Sequence, residues 1–158
     1  MSCPLLVFRV GYMPFYDGVD TITSGGAYIR ANGVGGEMWN FHDEAGRCYG
    51  YVMTKGFAGI DLRRLDDTVS WEENDEFDGV DVVFIAKKPG VGQVVVGWYN
   101  GATVFHKKYR RCSGRKKFGD WDTFDYLCQV DAEHAILLSE DSRTFEVPSA
   151  SVDGKGFP

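Results

Sequence analysis

The clearest structural signal in the chain is the pair of apolar runs Val80-Asp81-Val82-Val83-Phe84-Ile85-Ala86 and Gln93-Val94-Val95-Val96-Gly97-Trp98-Tyr99. Both are nearly continuous in apolar character and rich in β-branched residues, which is typical of strands buried on both faces. The second run leads into Asn100-Gly101, the strongest short-range signal for a two-residue turn. The sequence therefore predicts two central strands, and a hairpin from Val94 to Tyr109.

Shorter apolar runs on either side extend this sheet. We expect further strands at Leu5–Tyr12, Gly50–Met53, Tyr126–Val130, Ala135–Leu138 and Thr144–Val147, the last three as a closing meander. Helical signals are limited to Ser24–Asn32 and to one turn at Asp61–Leu65. The predicted fold class is β-rich α+β, with the sheet curled into a barrel and a few short helices.

Length and composition indicate one domain. The chain has 158 residues, enough for a single core, and we assign residues 1–148 to it and 149–158 to a linker or chain end. No apolar run approaches the length of a membrane span and no signal peptide is evident, so we expect a soluble cytoplasmic protein. The four cysteines form no CxxC pair, and the sequence indicates no metal ion or cofactor.

The charges are strongly segregated along the chain. The net charge is −6, which by itself argues against a nucleic-acid partner. Nine acidic residues nevertheless lie between Asp61 and Asp81, whereas none occurs from Val82 to Gly119, where nine basic residues lie. Seven of these bases lie at the end of the predicted hairpin and just beyond it, interleaved with Tyr109, a composition suited to neutralising phosphates. The predicted phosphate-binding residues are Lys107, Lys108, Arg110, Arg111, Arg115, Lys116 and Lys117.

Aromatic residues supply a second candidate feature. If Glu37–Phe41 and Cys48–Tyr51 are strands, alternation places Trp39 with Phe41, and Tyr49 with Tyr51, as two walls of a flat slot. An extruded base needs aromatic faces to stack on and polar groups that read its edge. The predicted base pocket comprises Trp39, Asn40, Tyr49, Tyr51, Trp98, Tyr99, Asn100 and Asp17. Each of these aromatic residues could instead belong to the core.

Evidence for an enzyme is thin. None of the three histidines lies in a known catalytic or metal-binding motif, and we assign no catalytic residue. His42 stands beside Asp43 and Glu44, which could support proton transfer, but a solvated turn has the same composition. His106 adjoins the basic cluster and is expected to assist an anion contact.

One family resemblance covers nearly the whole chain. Its main segments are Gly35-Gly36-Glu37-Met38-Trp39-Asn40-Phe41, Tyr49-Gly50-Tyr51-Val52 and Val95-Val96-Gly97-Trp98-Tyr99-Asn100-Gly101-Ala102-Thr103-Val104-Phe105. These segments resemble the N-terminal domain of bacterial, modification-dependent HNH endonucleases of the McrA-like kind. The resemblance implies a PUA-like or EVE-like β-barrel that recognises a modified base, often by flipping it into an aromatic pocket. It also implies that a separate nuclease domain, not present in these residues, cuts the DNA.

The leading hypothesis is a non-catalytic module that binds double-stranded DNA carrying a modified base, and the modified base we expect is a cytosine. Three alternatives stay open: an RNA-binding PUA-like domain, a small hydrolase that uses His42, and a protein-interaction domain that uses the acidic segment.

Overall fold

A computed structural model describes residues 3–19, 35–72, 75–111 and 123–148. These residues form a mixed six-stranded sheet in the order β1-β3-β4-β5-β2, with β6 also paired to β4. The pairing of β1 with β3 is parallel, and the other pairings are antiparallel. The strands are β1 (Leu5–Val10), β2 (Arg47–Gly50), β3 (Glu76–Lys88), β4 (Gly92–Arg111), β5 (Thr123–Asp131) and β6 (Ala135–Leu137).

The helical segments of the described chain are short 3₁₀ turns. They lie at Gly36–Trp39, Lys55–Phe57, Leu62–Arg64, Ala132–His134 and Glu140–Ser142. The turn predicted at Asp61–Leu65 is confirmed, because the Asp61 carboxylate accepts the Arg63 N–H at 3.1 Å and Leu62 is buried. The helix predicted at Ser24–Asn32 and the tail 149–158 lie outside the described residues. None of the described helices is long and apolar enough to cross a membrane.

The two central strands are confirmed, and they pair with each other. Val80, Val82 and Phe84 of β3 are fully buried, as are Val94 and Val96 of β4. The chain reverses between the strands at Lys88-Pro89-Gly90-Val91, where the Val91 N–H donates to the Lys88 carbonyl at 3.1 Å. A proline followed by a glycine suits the two central positions of such a turn.

The predicted hairpin at Asn100-Gly101 is wrong, because β4 runs straight through it. Val80 and Val82 of β3 pair with Ala102 and Tyr99 of β4, so β4 holds one extra residue there. Gly101 has φ +65°, and its N–H donates to Asp81 Oδ1 at 3.0 Å. A glycine in the left-handed region is the requirement of a glycine-type β-bulge as well as of a tight turn.

The barrel and the closing meander are also corrected. Within the described residues no pairing joins β1 to β2, so the sheet stays open rather than closing. β5 and β6 do not pair with each other; each pairs with a different part of β4. The predicted last strand is reduced to a bridge between Val94 and Glu146. A 20-residue β4 offers enough edge for both partners, which removes the need for a meander.

The remaining strand predictions need adjustments at their bounds. β1 ends at Val10 rather than Tyr12, and the strand expected at Gly50–Met53 is instead Arg47–Gly50. The Glu37–Phe41 strand is wrong, since Gly36–Trp39 is a 3₁₀ turn. Its buried side chains pack on the inner face of the sheet, where alternate residues of β1, β3 and β4 form the core.

Candidate nucleic-acid interface

Three of the eight predicted pocket residues belong to the core. Trp39, Asn40 and Tyr99 have at most 1% of their surface exposed. The Trp39 ring packs against Phe124 at a centroid distance of 4.2 Å. The Tyr99 hydroxyl donates to the Asn40 carbonyl. As packed here, these three side chains support the sheet and do not face an incoming base.

The Asn40 side chain acts as a backbone clamp. Its Oδ1 accepts the Tyr51 N–H at 2.8 Å, and its Nδ2 donates to the Tyr51 carbonyl at 3.0 Å. The amide therefore satisfies both backbone groups of one residue just beyond the end of β2. Asn40, which the sequence analysis placed in the base pocket, therefore has a structural role in this arrangement.

The other five pocket residues are not gathered into one slot. Tyr51 is half-buried with its ring against Gly36, where an added Cβ would lie 2.9 Å from the ring. Trp98 is half-buried in β4, and Asn100 is exposed at the bulge. Asp17 lies in a loop, where its Oδ1 accepts the Val19 N–H at 3.1 Å. The predicted slot does not form, because its first wall is a 3₁₀ turn rather than a strand.

Tyr49, the fifth, belongs to a cluster that the sequence did not predict. Its ring meets Tyr126 of β5 edge-on at 4.9 Å, and Tyr126 meets Phe105 of β4 edge-on at 5.7 Å. Lys108 Nζ lies 4.1 Å from the centre of the Phe105 ring, and Lys108 is the register partner of Tyr126. Phe105 is itself buried, whereas the other three residues are half-buried. We call Tyr49, Lys108 and Tyr126 the aromatic–basic surface.

The predicted phosphate-binding residues begin at this surface. Lys107, Lys108, Arg110 and Arg111 occupy the last five positions of β4 together with Tyr109. Arg115, Lys116 and Lys117 lie outside the described residues. The structure thus joins the start of the basic segment to a pair of half-buried tyrosines, Tyr49 and Tyr126, on neighbouring strands.

Acidic side chains lie close to both Lys107 and Lys108. Lys107 Nζ is 3.7 Å from Asp125 and donates to the Phe57 carbonyl at 3.1 Å. Lys108 Nζ is 3.7 Å from Glu76. Because β3 pairs with β4, the end of the acidic segment lies beside the basic strand. Acidic and basic residues that are well separated along the sequence are therefore partly neighbours in the structure.

One buried carboxylate was assigned no role by the sequence. Glu37 is 6% exposed, and its Oε1 accepts the Gly11 N–H at 2.9 Å. Burial raises the pKa of Glu37, and the Gly11 hydrogen bond opposes this effect only in part. Its side chain joins the loop after β1 to the 3₁₀ turn at Gly36–Trp39.

His42 lies at the start of a turn, and His106 lies beside a loop that packs on β4. The His42 N–H donates to the Trp39 carbonyl at 3.0 Å, and the next residues form a turn in which Asp43 Oδ1 accepts the Gly46 N–H at 2.7 Å. His106 Nδ1 is 3.1 Å from the Ile60 carbonyl, and this contact ties a loop to β4. Across the described ranges, no group of three or more His, Cys, Asp or Glu side chains could hold a metal ion.

No protein-family model, curated protein or solved structure matches the chain at a significant level.

Proposed function

We propose that this protein binds nucleic acid through the aromatic–basic surface and the basic segment that continues from it, residues 107–117. The ligand we propose is double-stranded DNA with a modified base, the class implied by the sequence resemblance together with its PUA-like or EVE-like fold. One observation carries the proposal: a run of cations begins on β4, and the neighbouring strand β5 contributes Tyr126 to a ring pair with Tyr49 of β2. Proteins that bind single strands or extruded bases use cations to contact the phosphates and aromatic rings to stack on the bases.

A phosphate contact at Lys108 would replace its existing ion pair at little cost. The Lys108–Glu76 pair is well exposed at both ends and separated by 3.7 Å, and such surface pairs contribute about 0–1 kcal/mol. A DNA phosphate offers Lys108 an equivalent partner and releases condensed counterions when it binds. The proposal therefore requires binding that weakens steeply with salt.

Base recognition would use Tyr49 and Tyr126 rather than the buried Trp39 and Tyr99. Stacking on such a ring contributes about 1–3 kcal/mol per base and does not depend on sequence. A methyl or hydroxymethyl group changes the contact area only slightly, so preference for the modified base should be about 1–3 kcal/mol. The proposed extrusion of the base would bring it to this ring pair.

The first experiment is fluorescence-polarisation binding at two salt concentrations. The probes are matched duplexes with cytosine, 5-methylcytosine, 5-hydroxymethylcytosine or N6-methyladenine, and a single-stranded RNA. Preference for one modified duplex at both salts would support the full proposal. Equal, salt-sensitive binding to all duplexes would retain the interface and remove base recognition, and tighter RNA binding would replace DNA as the ligand. Absence of binding would overturn the proposal.

A pair of double variants locates the interface. Lys107→Ala with Lys108→Ala should weaken binding to every duplex about equally and reduce the salt slope by about 2, one for each lost phosphate contact. Lys87→Ala with Lys88→Ala removes the same charge from the far end of β3 and is the matched control. Equal effects of the two double variants would show that net charge, not this surface, determines binding.

A further inference from the structure

The outer face of the sheet carries an apolar row that crosses four strands. The pairing registers align Val7 of β1 with Val83 of β3, Val83 with Trp98 of β4, and Trp98 with Ile136 of β6. Directly aligned residues point to the same face of a sheet. Phe8, Phe84 and Tyr99, the chain neighbours of three of these residues, are buried on the inner face, so the row faces outward. We call Val7, Val83, Trp98 and Ile136 the outer stripe.

The outer stripe is accessible to solvent at both ends. Val7 is 45% exposed and Ile136 is 36% exposed. A further exposed apolar residue, Leu5, lies two positions before Val7 on β1 and shares its face. Val83 and Trp98 between the two ends are half-buried, so the row is partly accessible along its whole length. An accessible apolar row of this kind typically marks an interaction site.

The charges beside the stripe have opposite signs on its two sides. Arg9 lies two positions after Val7 on β1 and is exposed, between the buried Phe8 and Val10. Asp81 lies two positions before Val83 on β3, between the fully buried Val80 and Val82. Both therefore share the outer face with the stripe, one on each side of it.

We propose that the outer stripe is the interface of a two-fold symmetric dimer of this chain. A two-fold axis along the stripe places each stripe on its copy and brings Arg9 of one protomer to the Asp81 side of the other. The contact is self-complementary, as a two-fold interface must be, and the ion pair forms twice. Two sheets packed face to face in this way form an ordinary aligned sandwich.

The dimer dissociates reversibly. Four strands span only about 14 Å, so the buried area lies at the low end of specific interfaces. The experiment is sedimentation velocity on the full chain from about 1 µM to about 300 µM. The expected result is a concentration-dependent shift from monomer to dimer. A monomer over the whole range overturns the proposal and leaves this face to a different protein.

Three substitutions locate the interface. Val7→Lys on β1 and Ile136→Lys on β6 each place a charge in the stripe and should abolish the dimer; using two strands guards against a folding defect in one variant. Val91→Lys is the matched control, because Val91 is 50% exposed but lies in the turn between β3 and β4. Arg9→Glu should raise the dissociation constant about tenfold or more, since like charges then meet twice. Wild-type dimerisation by both stripe variants would overturn the assignment.

Discussion

Asn40 and Asn100 differ in how much each side chain contributes to the stability of the fold. Asn40→Ala removes the side-chain partners of the partly buried backbone groups of Tyr51, so the free energy of unfolding should fall by about 1–3 kcal/mol. Asn100→Ala, at an exposed position of β4, should leave stability unchanged. Urea denaturation of both variants measures the difference. Equal stability of the two variants would contradict the backbone clamp.

Glu37 should make stability fall as pH rises. Its folded pKa is raised by burial, so the folded state holds the proton more tightly than the unfolded chain does. Below the ordinary pKa of a glutamic acid, Glu37 is protonated in both the folded and the unfolded state and does not lower the free energy of unfolding. Stability is then lost as pH rises from that value through the raised one, by about 1.4 kcal/mol for each pH unit by which folding raises the pKa.

Glu37→Gln tests this linkage. Glutamine keeps an oxygen that can accept the Gly11 N–H but has no proton to lose. The variant should therefore gain stability relative to the wild type between about pH 4 and about pH 8, measured by urea denaturation at both values. A stability difference that does not change with pH would show that Glu37 titrates in the same way in the folded and unfolded states.

At the level of elements, one buried arginine holds the segment after β6 against the loop after β1. The Arg143 guanidinium is fully buried and donates to the carbonyls of Leu138, Met13 and Pro14 at 3.0, 2.6 and 2.6 Å. The Tyr12 ring lies 5.1 Å from its central carbon. A planar fork can serve three carbonyls at once, whereas an ammonium group on a flexible stem cannot reproduce that geometry.

Arg143→Lys should therefore lower the free energy of unfolding by about 2–4 kcal/mol, because at least one buried carbonyl loses its partner. Arg63→Lys is the control at an exposed arginine and should have no measurable effect. Hydrogen exchange should also show earlier opening of β6, whose following residue Leu138 contributes one of the three carbonyls. Unchanged exchange and stability would mean that the guanidinium contacts do not hold the two segments together.

The sequence predicted strands well and their pairing poorly. The runs at β1, β3, both halves of β4, β5 and β6 are all predicted as strands, since the pattern of apolar and β-branched residues is a local property. Asn100-Gly101 was misread because a left-handed glycine serves a bulge as well as a turn, and only long-range pairing decides between them. The compensating bulge at Asp78-Gly79, where Gly79 has φ +77°, has the same local signature.

For the whole molecule, that one error also hid the candidate site. A hairpin at Asn100 pairs the two halves of β4 with each other and does not say which strand pairs with the outer edge of the second half, so the sequence could not place Tyr126 beside Lys108. The basic segment was visible in the sequence because charge clustering is local. The contribution of Tyr126 and Phe105 was not visible, because the sequence around a lone aromatic residue in a strand does not show whether its ring packs inward or beside a cation.

Both proposed surfaces lie on β4, the outer stripe through Trp98 and the aromatic–basic surface through Lys108, roughly 30 Å apart along the strand. If both proposals hold, a dimer presents two DNA-binding surfaces, and a duplex with two modified sites can engage both protomers. Wild-type protein should then bind the two-site duplex at least about tenfold more tightly than a one-site duplex.

Val7→Lys should abolish that gain while leaving one-site affinity unchanged, because Val7 is on β1 and the aromatic–basic surface is on β2, β4 and β5. Lys107→Ala with Lys108→Ala should weaken binding to both duplexes and leave the sedimentation profile of the wild type intact. Fluorescence polarisation on the two duplexes and sedimentation of the two variants measure these effects separately. A loss of one-site affinity in Val7→Lys would show that the two surfaces are coupled through β4 and act as one interface.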